Sequence, residues 1–150
     1  MFFIFAQISD GFNDDVFEAY RRAIGVRQAL EPLQTGAFQP TLADDQAGVI
    51  AFARGSSAGR VNVVINRSDR EARIALPVGA GQSNLVNWLD PAATELADGK
   101  PSAPDARPTL RLKPGARTIA VKEGVCTITL PPYGTAVLAP PRERVAAQAN

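Results

Sequence analysis

Ile119-Ala120-Val121-Lys122-Glu123-Gly124-Val125-Cys126-Thr127-Ile128-Thr129-Leu130 is the stretch that decides the fold. On both sides of Glu123-Gly124 the apolar residues recur at every second position. Side chains of a strand point alternately to two faces, so this period is a strand signal. Two such runs joined through Glu-Gly read as a tight hairpin. Cys126, Ile128 and Leu130 are then expected to face a core, with Thr127 and Thr129 on the opposite side.

Working outward, the same period recurs. It runs through Val49-Ile50-Ala51-Phe52-Ala53-Arg54, through Val61, Val63 and Ile65, and through Ala72, Ile74 and Leu76. It returns at Leu110 and Leu112 and at Thr135-Ala136-Val137-Leu138, and Leu85-Val86-Asn87-Trp88 reads as a further strand. Gly55-Ser56-Ser57-Ala58-Gly59 is turn chemistry. Residues 78–83 read as a flexible loop and 97–108 as a long surface connection. The prediction is a mainly β chain: an antiparallel Greek-key sandwich of about eight short strands, one face on a core and one in water.

The first third has a different period. Val16, Ala19, Ala23, Val26 and Leu30 recur at helical spacing, and Phe17, Tyr20 and Ile24 widen that stripe. Glu18, Arg21, Arg22 and Gln28 are left for solvent. Asn13-Asp14-Asp15 supplies the start, and Pro32 with Gly36 the end. A helix is predicted over about 14–30. The expected organisation is a leader and helix over 1–34, a sandwich over 35–139 and a disordered tail over 140–150.

Composition excludes several functions. The chain has 150 residues, 16 Lys+Arg against 15 Asp+Glu, one Cys and no His. A net charge of +1 without a basic stripe gives no phosphate-tracking surface. Without histidine there is no Ser-His-Asp triad, no Cys-His pair and no His-ligated metal. A single cysteine allows neither an internal disulfide nor a multi-Cys zinc site. No cofactor and no metal are expected. Met1-Phe2-Phe3-Ile4-Phe5-Ala6-Gln7-Ile8 has no basic residue before it, and Asp10 follows early. It therefore reads as neither a signal peptide nor a membrane span. The compartment stays open, with the bacterial cytoplasm as the expectation.

The order of elements resembles the end of α-amylase superfamily enzymes (glycoside hydrolase family thirteen), neopullulanase and maltogenic amylase relatives in particular. The resemblance lies in Tyr20-Arg21-Arg22-Ala23-Ile24-Gly25-Val26-Arg27-Gln28-Ala29-Leu30, similar to the last barrel helix, and in Thr35-Gly36-Ala37-Phe38, similar to the entry to the C-terminal domain. It continues through Val49-Ile50-Ala51-Phe52-Ala53-Arg54 and Arg60-Val61-Asn62-Val63-Val64-Ile65-Asn66-Arg67-Ser68, and closes on Val125-Cys126-Thr127-Ile128-Thr129-Leu130-Pro131-Pro132-Tyr133-Gly134-Thr135-Ala136-Val137-Leu138. It implies a non-catalytic C-terminal sandwich of an α-glucan hydrolase, packed against a catalytic barrel. The family's nucleophile aspartate, acid/base glutamate and substrate-binding histidines belong to barrel segments without a counterpart here, so no residue is carried over as catalytic.

Retaining glycosidases hold two carboxyls about 5–5.5 Å apart, and Asp14-Asp15, Asp44-Asp45 and Asp69/Glu71 are the nearest pairs. The first suits a helix start and the second a turn, which is the preferred reading. Trp88 and Tyr133 are the candidate sugar platforms, ahead of Phe52, although packing is the preferred reading of each. Cys126 reads as a small buried hydrophobe. Gly79-Ala80-Gly81 lacks the context of a nucleotide loop. A free-standing α-glucan-binding module is therefore the alternative function. Five of the seven phenylalanines fall within the first 17 residues. Together with Phe17, Tyr20 and Ile24 on a second helix side, they mark the expected contact with a barrel or, failing that, with a second copy in a homodimer.

Overall fold

A computed structural model describes residues 14–57, 59–96 and 108–141. The apolar leader, nearly all of the 97–108 connection and the tail beyond Pro141 lie outside the described residues, with the expectations placed on them. Helix α1 (Asp14–Ala29) carries Asp14 and Asp15 in its first turn and Arg27 in its last, each charge opposite to the adjacent helix pole. A single helical turn, α2 (Pro32–Thr35), follows with proline at its start, where the missing N–H costs nothing.

Ten strands follow: β1 (Ala37–Asp44), β2 (Val49–Ser56), β3 (Gly59–Asn66), β4 (Ala72–Pro77), β5 (Asn84–Asn87), β6 (Thr94–Leu96), β7 (Leu110–Leu112), β8 (Ile119–Lys122), β9 (Val125–Leu130) and β10 (Thr135–Ala139). Eight of them form one antiparallel sheet in the order β1-β2-β3-β10-β5-β8-β9-β4, and β6 pairs with β7 as a separate ribbon. Two of the expectations about strands change. β1 joins the sheet as an edge, although Pro40 and a bulge between Pro40 and Leu42 interrupt its pattern. Leu110 and Leu112 leave the main sheet for the ribbon.

The sheet folds over so that β1-β2-β3-β10-β5 faces β8-β9-β4. Val49, Ala51, Val64, Ala136 and Leu138 from one side meet Ile74, Leu76, Cys126, Ile128 and Leu130 from the other. Interdigitated inner faces of this kind make a sandwich core. The hairpin falls where the sequence put it. Lys122 pairs with Val125, and Glu123 and Gly124 both take positive φ, 51° and 77°. Two successive left-handed residues define the type I′ turn, whose twist matches that of the strands, and glycine takes the second position without strain.

The larger half is not wet on its outer face. Val61, Val63, Val86, Trp88, Val137 and Ala139 lie there beneath Val26 and Leu30 of α1 and its following turn, and beneath Ala93 and Leu110. β3 and β10 are therefore buried on both faces, because the helix and the ribbon form a third layer. Asn62 and Asn66 alternate with Val61, Val63 and Ile65, which puts them on the side expected in water, yet both are fully buried on the inner face. Asn66 Nδ2 donates to Arg70 O at 2.7 Å and Pro131 O at 2.9 Å. Its Oδ1 accepts from the Ser68 amide and hydroxyl, so every polar atom of its amide has a partner. The expected flexible loop over 78–83 is pinned as well: Val78 is a core residue whose amide donates to Gly124 O, and Ser83 O accepts from the Val121 amide.

Candidate contact surface

Helix α1 rests on the sandwich through Gly25, Val26 and Leu30, which are buried, and through Arg22 and Ala29, which are half-buried. These positions repeat at i, i+3, i+4, i+7 and i+8, one helical face. Only Val26 and Leu30 come from the expected stripe; Val16, Ala19 and Ala23 are exposed. The reason is the size of the neighbours. A Cβ at Gly25 would lie 3.3 Å from Leu110 Cβ and 3.5 Å from Leu96 Cδ2, so the small residue lets the ribbon close on the helix. Arg22, expected in solvent, turns inward and donates to Thr94 Oγ1 at 2.8 Å. Tyr20 and Ile24 stand outward, 69% and 46% exposed, with Phe17 on the same side and Arg21 Cζ 5.9 Å from its ring centroid.

The two sugar-platform candidates do not come together. Trp88 is 4% exposed, and its ring is enclosed in the layer between sheet, helix and ribbon. Its amide donates to Val137 O at 2.8 Å, its carbonyl accepts from Thr94 Oγ1 at 3.1 Å, and its indole Nε1 is buried without a partner. Neither face of that ring is open to a pyranose. Tyr133 lies before the start of β10 and is 70% exposed. Gly134 N donates to Pro131 O, closing a turn in which Pro132 precedes Tyr133 at φ 55°. That is the position of a type II turn which usually takes glycine or asparagine.

Phe52, the third platform candidate, belongs to a group whose other members, Phe38 and Arg54, sequence reasoning did not single out. Phe38 on β1 is 60% exposed, and its ring centroid lies 5.1 Å from that of half-buried Phe52 on β2. Register pairs Phe38 with Arg54 and Pro40 with Phe52. All four therefore share the outer face, on which Phe52 packs against the helix-side cluster. Arg54 is half-buried, its Nε is sealed without a hydrogen-bond partner, and the ion pairs among the described residues all involve other arginines. The available signal was parity: Ile50, Phe52 and Arg54 alternate with the small core residues Val49, Ala51 and Ala53.

The remaining candidates have local roles. Asp44 Oδ1 caps its turn by accepting from Ala47 N at 2.9 Å. Asp45 and Asp69 lie 3.8 Å from Arg67 and Arg70 respectively, all at the surface. Burial pushes the Cys126 thiol above its ordinary pKa, only partly offset by a backbone hydrogen bond. Among the described residues no group of three or more His, Cys, Asp or Glu is placed to hold a metal. A groove of about 550 Å³ separates the edge strands β1 and β4, lined by Leu42, Asp44, Arg70 and Arg73 among others. Among the described residues no helix is long and apolar enough to cross a membrane.

An antiparallel sandwich under a short helical layer is the architecture of an all-β domain. The chain belongs to the family described as alpha amylase, C-terminal all-beta domain, whose model matches residues 41–141. It is 27% identical over 122 residues to a cyclomaltodextrinase of Geobacillus thermopakistaniensis, covering 81% of this chain and 16% of that protein. It is 33% identical over 88 residues to neopullulanase 2 of Thermoactinomyces vulgaris, covering 59% of this chain and 15% of that protein. The fold is shared with an Anoxybacillus α-amylase at TM-score 0.59 and 17% identity, over 89% of this chain and 24% of that one. The chain thus spans about a sixth of the length of these curated relatives.

Proposed function

We propose that this chain is the non-catalytic C-terminal sandwich of an α-amylase-type glycoside hydrolase acting on α-glucans, and that it packs against the catalytic barrel and holds it folded. The observation that carries the reading is the family match over 41–141, in relatives of which this stretch is a small part. The reading divides the chain into an N-terminal helical segment over 1–34, the sandwich over 35–139 and a tail. Phe17, Tyr20 and Ile24 are its barrel contacts, or a homodimer's, and the bacterial cytoplasm is its setting. Sealing apolar side chains against a neighbour removes about 25 cal/mol per Å² of exposed surface, which is how such a domain steadies its partner. The test has two parts. The chain alone should release no reducing ends from starch, pullulan or cyclodextrin; turnover that a carboxylate substitution in this chain abolishes would overturn the reading. Added to the cyclomaltodextrinase relative lacking its aligned stretch, the chain should raise that protein's melting temperature; no rise at saturating chain would count against packing.

A second reading, a module that binds α-glucan, is favoured by Tyr133 alone, an exposed ring on a left-handed backbone. Calorimetric titration with maltoheptaose tests it. Saturation at micromolar sugar that Tyr133→Ala abolishes would support it; no saturation below the millimolar range would exclude it.

A further inference from the structure

We draw no further inference here: the strongest candidate, the groove of about 730 Å³ between β5, β8 and β9 that is lined by Ile128, Leu130 and Leu138 with Asp90, Arg117 and Lys122, carries nothing because nothing in the structure shows what covers it.

Discussion

Ile128→Ala tests the sandwich core directly. Ile128 is 7% exposed, pairs across β9–β4 with Ile74, and shares its cluster with Leu130, Leu138 and Cys126. Truncation removes three carbons, each worth about 0.8 kcal/mol in transfer, hence about 2.4 kcal/mol before any cavity is counted. Cavity formation brings such changes to about 2–5 kcal/mol. Ile128 also borders a side groove of about 730 Å³ between β5, β8 and β9, so part of the new space opens to water instead of remaining an empty void. The expected loss is therefore near the lower part of that range, about 3 kcal/mol. Thr129 points outward opposite Arg73, and Thr129→Ala should cost less than about 1 kcal/mol, the span of strand preference. Urea melts of both variants decide the matter. At a slope of about 2 kcal/mol per molar, Ile128→Ala should lower the midpoint by about 1.5 M with the slope unchanged. Equal losses, or a loss under about 1 kcal/mol for Ile128→Ala, would refute the facing of β9.

Three further outcomes follow from the geometry. Gly124→Val places a β-branched residue at φ 77° and should cost about 1–3 kcal/mol in the same melts; no loss would mean that the turn is not the left-handed pair described. Arg22→Ala removes the 2.8 Å bond to Thr94 and leaves a buried hydroxyl short of a donor, so α1 should loosen, read as faster amide exchange at Val26 and Leu30 than at β9. Burial raises the Cys126 pKa, so the folded state favours the neutral thiol; stability is intact below the unfolded thiol's pKa and falls as pH rises from about 9 through the folded value. Cys126→Ala should flatten that alkaline decline, and an unchanged slope would locate the titration elsewhere.

The parts of this fold that were legible in sequence are those whose determinants are local. Glu123-Gly124 between alternating runs specifies its own hairpin, and the helical period from Val16 to Leu30 announces α1 without help from the rest of the chain. The side of α1 that is buried was not local information. The most apolar side of the helix is left outward, while Gly25 and Ala29 turn inward because Leu96 and Leu110 approach there. β1 was hidden because Pro40 and the bulge break the period that identifies a strand. Asn62 and Asn66 read as solvent positions, and only the surrounding Gln82, Ser68, Arg70 and Pro131 groups make burial tolerable. Trp88 and Tyr133 could not be separated by residue type. The third layer encloses one, and a turn at the sandwich end holds the other out.

That third layer also explains where a contact face can exist. A sheet whose central strands are apolar on both faces must be covered twice. α1, α2 and the ribbon cover the outer face over β3, β10 and β5 with side chains this chain supplies. They reach β2, where Phe52 is covered in part, and leave β1 open, where Phe38 and Pro40 stay exposed. Edge strands usually protect themselves with charge. Here the edge strand β1 has a bulge, and Phe38 and Pro40 stand on its exposed face.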